Sequence, residues 1–309
     1  MQNNEIGQTG LYVNPIGFGA NAIGGHNLYP NLDEEAGKEL VRQALQMGVN
    51  FLDTAYIYGP ERSEQLVGEV IKETGMRNKV ILATKGAQRI TNEGVIFDNS
   101  PSFLRQAVEG SLQRLQTDTI DLFYIHFPDE DTPKDEAVGA LKDLKAEGKI
   151  RAIGVSNFSL DQLKEANKDG YVDVYQGEYN LLNRRAEEDL LPYAKEHGIS
   201  FVPFYPLASG LLSGKYDKTA NFNDFRARLP HIKGESFSRN MEKIDQLRKL
   251  TKEKNVEMAH IALAWLLRQE CIDVIIPGAK RIEQLENNLK ASDVQLTKED
   301  LIEIDAIFA

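Results

Sequence analysis

Eight short apolar runs, each set off by helix-forming segments, predict a closed (β/α)8 barrel, a TIM-type α/β fold, with a short β-hairpin ahead of it. Three observations carry this. Nearly all the runs are continuously apolar, as strands covered on both faces must be. Their strict alternation with helices gives right-handed parallel units. No G-x-G-x-x-G stands between a strand and a helix, where a doubly wound nucleotide fold would carry one. The length of 309 residues suits a single domain over residues 1–309.

The elements follow in order. Residues 5–13, with Gly7-Gln-Thr-Gly10 at the centre, read as the hairpin, and 15–18 as the first barrel strand. Residues 19–25 are too glycine-rich for a helix; they either let the backbone approach a ligand or only turn the chain. A helix over 33–47, a strand over 49–52, a helix over 63–74 and a strand over 79–84 come next, and then a long loop over 86–98. Ser100-Pro101 opens a helix with an N-cap serine and a proline at its first position, and Thr132-Pro133 is expected to open another in the same way, after a strand over 120–125. A strand over 150–155 leads to a capping box at Ser159-Leu-Asp-Gln162. Strands over 172–175 and 199–204 flank a helix over 187–197. A polar loop runs to about Ser236, helices cover 237–254 and 259–268, and the last strand is 273–276.

Composition excludes some functions. Hydrophobic residues at 41% and charged residues at 27% are ordinary globular values. A net charge of -11 argues against a nucleic-acid or anionic-membrane partner, so any phosphate must be held locally. Cys271 is the one cysteine, which leaves no intrachain disulfide and no cysteine metal site, and no metal is expected. The first residues carry neither a positive n-region nor an apolar h-region, and no stretch approaches the roughly 20 apolar residues of a membrane span. The expectation is a cytoplasmic protein, and nothing in the sequence demands more than a monomer.

Barrel enzymes keep their chemistry at the C-terminal ends of the strands. Those ends carry Asp53, Lys85, His126, Ser156-Asn157, Gln176, Phe204-Tyr205 and Gly278-Ala-Lys280. A lysine so close behind an apolar strand needs a partner for its partly desolvated charge, and Asp53 is the natural one. Tyr58, five residues beyond Asp53, is expected to feel a positive charge that lowers its pKa from about 10, as suits a general acid. His126 could hold a substrate oxygen against it. An acid aimed at an oxygen suits reduction of a carbonyl, with a hydride donor at the other strand ends. Ser156, Asn157 and Gln176 can clamp a carboxamide, and Phe204 offers a face for a nicotinamide ring. Gly278-Ala-Lys280-Arg281 opens a helix whose free N–H groups and two cations form an anion site, suited to the extra phosphate of NADPH.

These residues resemble the aldo-keto reductase superfamily over essentially the whole length. Asp53-Thr-Ala-x-x-Tyr58-Gly59 with Ser63-Glu64 and Gly68, Thr84-Lys85, Tyr124-Ile-His126, Gly154-Val-Ser156-Asn157-Phe158, Gln176-Gly-Glu178-Tyr179-Asn180, Pro206-Leu207 with Ser213-Gly-Lys215-Tyr216, and Ile276-Pro-Gly278 match in order. The resemblance is nearest to the bacterial branch containing the inositol-operon member IolS, through Asn21-Ala-Ile-Gly-Gly-His-Asn-Leu-Tyr-Pro30 and Tyr124-Ile-His-Phe-Pro-Asp129. It implies a catalytic tetrad at Asp53, Tyr58, Lys85 and His126. It implies NADPH/NADP+ held by Ala20, Asn21, Asp53, Ser156, Asn157, Gln176, Phe204, Tyr205, Pro206, Leu207, Ser209, Lys215, Arg226, Gly278, Lys280, Arg281, Gln284, Asn287 and Asn288. The substrate it implies is a small carbonyl compound or alcohol, with a hint of polyol or inositol metabolism.

Several positions depart from the family pattern. Phe204 stands where many relatives have Tyr or Trp, Tyr205 where Ser is usual, Ala20 where Thr is common and Glu61 where Gly is common. Gln284 replaces an arginine that many members use on the adenosine phosphate, leaving Lys280, Arg281 and Arg226 or Arg228 for that charge. Two alternatives stand beside the reductase: a nucleotide-binding regulatory subunit of the potassium-channel β type with little turnover, and a phosphate-dependent barrel isomerase. His26, Asn27, Tyr29, Phe97 and Phe127 are candidates to line the substrate pocket.

Overall fold

The computed structural model describes residues 3–222 and 225–309. The expected hairpin forms from β1 (Asn4–Glu5) and β2 (Tyr12–Val13), paired antiparallel. Seven strands then make one parallel sheet among the described residues: β3 (Phe18–Gly19), β4 (Phe51–Asp53), β5 (Ile81–Gly86), β8 (Ile120–Ile125), β9 (Ile150–Ser156), β10 (Val174–Glu178) and β11 (Ser200–Phe204). Neighbours in the sheet follow chain order apart from one insertion, the antiparallel hairpin of β6 (Gln88–Thr91) and β7 (Gly94–Phe97).

The eighth apolar run closes the ring without forming a regular strand. Ile275 bridges Ile16, and Gly278 bridges Gly19, both parallel. On the other edge the Phe201 N–H donates to the Cys271 carbonyl at 2.7 Å, and the Ser200 hydroxyl donates to Asp273. Pro15 and Pro277 sit in the closing pair and have no N–H to give, which thins the ladder there. The result is a (β/α)8 barrel.

Around it lie α1 (Glu34–Gln46), α2 (Arg62–Thr74), α3 (Pro101–Leu115), α4 (Lys134–Ala146), α5 (Leu160–Ala166), α6 (Leu190–His197), α7 (Gly234–Lys254), α8 (Met258–Leu266), α9 (Ile282–Leu289) and α10 (Lys298–Phe308). Ser100 caps α3, and Ser159 with Gln162 forms the expected capping box. Three expectations are corrected. Thr132 does not cap α4, because its hydroxyl and N–H are both spent on Asp129, and Pro133 takes the cap position. The stretch 86–98 is largely strand, with Ile90, Val95, Ile96 and Phe97 exposed along it. The expected helix over 187–197 splits into a 3-10 turn at Arg185–Glu187 and α6, whose cap Asp189 separates them.

Two apolar layers hold the barrel. Outward-facing strand residues such as Phe123, Ile125, Ile153 and Val155 pack with the helices, while Phe51, Ala83, Leu122, Tyr124, Ala152, Val174, Val202, Val274 and Ile276 fill the interior. Ile6, Leu11 and Val13 of the hairpin join this inner cluster and plug one end. The opposite end is left for polar groups. Gly154 makes room for the Tyr124 ring, since a Cβ there would lie 2.2 Å from Tyr124 Cδ1. Gly154→Ala is therefore expected to lower stability by about 1–3 kcal/mol through overpacking. A urea midpoint equal to that of the parent would contradict this.

Candidate active site

Strand parity decides which side chains enter the barrel, because successive residues face opposite sides. Phe51, Ala83, Leu122, Ala152, Val174 and Val202 form an inner layer. Two residues further along come Asp53, Lys85, Tyr124, Gly154, Gln176 and Phe204, and beyond them His126 and Ser156. Polar groups from separate strands are thereby brought to one end of the lumen.

Lys85 has no exposed surface. Its ammonium contacts Asp53 Oδ1 and donates to the Thr54 carbonyl at 2.8 Å. It lies 5.4 Å from the centre of the Tyr58 ring and 5.7 Å from that of Tyr124. The other Asp53 oxygen accepts from the Gln176 amide at 3.0 Å. Loss of hydration lowers the Lys85 pKa, and the Asp53 charge opposes that without cancelling it.

Tyr58 stands edge-on to His126, with 6.1 Å between ring centres. Its pKa runs opposite to the sequence expectation: loss of hydration, then the Asp53 charge, raise it well above the ordinary phenol value. The Lys85 cation does not reverse this, because burial and the opposing charge of its partner Asp53 both favour the protonated phenol. His126 moves the other way, held well below the usual imidazole value by loss of hydration and then by the Lys85 charge. At neutral pH the site offers a protonated phenol and a neutral imidazole.

The groups expected to clamp a carboxamide lie beside this cluster and are engaged with it. Asn157, at φ 62°, donates to the His126 carbonyl and to Ser156 Oγ, each at 3.0 Å, while Gln176 holds Asp53. The aromatic ring of Phe204 meets Tyr205 edge-on at 5.2 Å. Tyr205, Ala208 and Ser209 all have positive φ, so the chain after β11, through Pro206 and Leu207, is tightly turned. Lys215 and Arg226 gather on Tyr216: Lys215 Nζ is 4.9 Å from its ring centre, and Arg226 donates to its hydroxyl at 2.6 Å. The Arg228 side chain lies outside the described set.

A third group surrounds the start of α9. Gly278, Lys280 and Arg281 are exposed, Lys280 Nζ stands 3.7 Å above the Tyr29 ring, and Asn21 donates to the Tyr29 hydroxyl at 3.4 Å. Gln284 accepts from the Lys280 N–H at 2.8 Å, so it caps the turn. Asn288 reaches the Gly278 carbonyl at 3.5 Å, whereas Asn287 turns away to Glu257 at 2.7 Å. Ala20 is buried and supplies its carbonyl to Ser63. Glu61 starts α2 at φ 73°, near Arg114 at 3.6 Å.

One residue at the centre was not among the predicted ones. Gln88 is 3% exposed, and its amide nitrogen lies 2.8 Å from His126 Nδ1. A stretch that reads as a loop gives no periodicity to place it. Phe97 and Phe127, both expected near a pocket, stack at 4.9 Å, and Phe127 tilts on His126 at the same separation. His26 pairs with Glu34 at 3.0 Å, and Asn27 ties Ile57 and Gly59, so these two brace the loop that carries Tyr58.

The profile of the aldo/keto reductase family matches residues 15–309. The chain belongs to that family. It is 38% identical over 310 aligned residues to the aldo-keto reductase YhdN of Bacillus subtilis, with 99% of this chain and 93% of that one covered. The aldo-keto reductase yakc [NADP(+)] of Schizosaccharomyces pombe is 34% identical, with 94% and 87% covered. Among solved structures, the glycerol dehydrogenase AKR11B4 of Gluconobacter oxydans superposes with a TM-score of 0.90 at 32% identity, covering 99% of this chain and 94% of that one. Among the described residues no helix is long and apolar enough to cross a membrane.

Removing the charge of Asp53 would leave the Lys85 ammonium buried without a counter-charge. Asp53→Asn is expected to cost about 3–5 kcal/mol of folding stability at neutral pH. Because the folded Lys85 pKa then falls further below the unfolded value near 10.4, stability should recover as pH rises toward that value. A variant whose loss is the same at pH 6 and pH 10 (roughly the two sides of that window) would refute the buried-charge account.

Proposed function

We propose that this family member is an NADPH-dependent reductase of aldehydes and ketones, reversible on the corresponding alcohols, acting as one barrel unit with Tyr58 as proton donor. The observation that carries it is the buried Lys85–Asp53 pair with a protonated phenol and a neutral imidazole beside it. Both of the latter are hydrogen-bond donors, and an oxygen gaining negative charge is what two such donors stabilise.

The residues present fit the dinucleotide. Gly278 is exposed at the rim, and a Cβ there would crowd Asn21 Oδ1 at 3.2 Å, so its glycine leaves that space clear beside Asn21. Lys280 and Arg281 stand just before α9 (Ile282–Leu289), at the helix end that favours an anion. In this reading they take the phosphate that distinguishes NADPH from NADH. Lys215 and Arg226 supply further positive charge, with Tyr205, Pro206, Leu207 and Ser209 lining the chain between. Ala20, Asn21, Gln284, Asn287 and Asn288 shape the two rims. Ser156, Asn157 and Gln176 hold the carboxamide, and Phe204 gives a face to the ring. NADP(+) stands in the name of the Schizosaccharomyces pombe relative.

When bound, NADPH supplies the hydride that makes the carbonyl oxygen basic. Tyr58 then gives up its proton to that oxygen, breaking its O–H bond as the alcohol O–H forms. Lys85 stabilises the phenolate left behind, and Asp53 keeps Lys85 in place. A resting phenol with a raised pKa retains its proton until the oxygen demands it. Tyr58→Phe should lower turnover about 10²–10⁴-fold and leave NADPH affinity, read by fluorescence titration against NADH, unchanged. Full turnover in that variant would sink the assignment, and failure to bind either nucleotide would sink the site.

The substrate reading follows from the rings. Phe127 and Phe97 continue the line from Tyr58 and His126 to the exposed hairpin, so an apolar or aryl body can rest there with its carbonyl at Tyr58. A link to polyol metabolism has other support, in the branch resemblance and in the name of the Gluconobacter oxydans neighbour. Phe127→Ala is expected to raise KM for an aryl aldehyde about tenfold, the value of roughly 1.4 kcal/mol of lost contact. For glyceraldehyde KM should hardly move. The reverse order would favour the polyol.

A further inference from the structure

Gln88 carries a second observation besides its contact with His126: its Oε1 is buried with no hydrogen-bond partner among the described residues. The chain is strained to put it there. Ala87, which precedes it, is fully buried at φ 126°, a region that suits glycine. The Ala87 carbonyl accepts from the Asp98 N–H at 2.8 Å, tying the two ends of the β6–β7 hairpin together. A strained residue and an orphaned buried acceptor persist at one point only if the geometry there matters.

We propose that Gln88 is a positioning residue: its amide N–H donates to His126 Nδ1, fixes the Nε2–H tautomer, and so makes His126 a hydrogen-bond donor to the carbonyl oxygen. A neutral imidazole has one N–H, and a donor at Nδ1 leaves that proton on Nε2. The flipped amide would place Oε1 at Nδ1, demand a proton there, and turn Nε2 into an acceptor that repels a carbonyl oxygen. The charged or titratable groups around the imidazole are Lys85 from β5, which Asp53 from β4 contacts, and Tyr58 from the β4–α2 loop; Tyr124 lies in β8, two residues before it. Burial and the Lys85 charge both keep the ring neutral. The identity of the oxygen rests on the reductase reading; the tautomer does not.

The test is 15N NMR of the histidine-labelled full-length protein, with His126 assigned by its loss in His126→Asn, together with pH profiles of reduction. The parent should show an Nε2–H tautomer and a kcat flat between roughly pH 6.5 and 9, between the ordinary histidine and tyrosine pKa values. Gln88→Leu should mix the tautomers and lower kcat about tenfold, with NADPH affinity unchanged. In Gln88→Glu the carboxylate accepts from Nδ1–H, so His126 becomes imidazolium at acidic pH and keeps Nε2–H. Its kcat should then approach that of the parent at low pH and fall as pH rises through the new imidazolium pKa. A merely structural role would not produce that limb. A parent with its proton on Nδ1, or a Gln88→Glu profile parallel to the parent, overturns the inference. If the reductase reading itself fails, no carbonyl substrate turns over while the tautomer remains readable.

Discussion

The structure depends on one ion pair that water cannot reach. Lys85 comes from β5 and Asp53 from β4, and both are buried near the open end of the barrel. Taking a lysine fully out of water costs several kcal/mol, and contact with a carboxylate roughly repays this only when the remaining lone pairs and protons are also satisfied. Thr54 and Gln176 supply those bonds from the backbone and from β10. A well-packed apolar pair would stabilise the fold as well or better, so stability does not account for the charges being there. Their consequence is electrical.

A lysine alone would favour the Tyr58 phenolate. Paired with Asp53 it is outweighed by burial, and burial favours neutral forms of both Tyr58 and His126. Two neutral donors side by side can both point protons at one oxygen, which a phenolate and an imidazolium could not do. The pair also stays available. When Tyr58 loses its proton the phenolate forms beside a cation already in place, so no charge has to be moved at that moment.

Much of this was legible in the chain. The eight apolar runs and their helices fixed the barrel, and the polar residue after each run marked the open end, because strand polarity puts all those ends on one side. Parity within the runs carries more still: Leu122, Tyr124 and His126 share a face, so the residue under the site could be read from spacing alone. What escaped the sequence depends on contacts between distant segments. Thr132 looks like a cap until Asp129 takes its hydroxyl. The last run looks like a full strand until Pro15 and Pro277 fall at separate points of the closing seam. The sign of the Tyr58 shift turns on how completely the fold buries the phenol beside Asp53, which no local pattern shows. Gln88 belongs here too, since a lone glutamine in a polar stretch has no pattern to set it apart.

The two ends of the barrel divide their tasks. At the closed end Ile6, Leu11 and Val13 complete an apolar plug. At the open end Ala87, Asn157, Tyr205, Ala208 and Ser209 all hold positive φ without being glycine, each at a cost of about 1–3 kcal/mol. Strain of that size survives only where surrounding packing leaves the chain no alternative, and a closed sheet with a filled interior provides that constraint. Asn157 illustrates it: its twisted backbone lets one side chain tie β9 to the His126 carbonyl. The apolar end supplies the stability that the polar end spends on holding its donors in fixed positions before any ligand arrives.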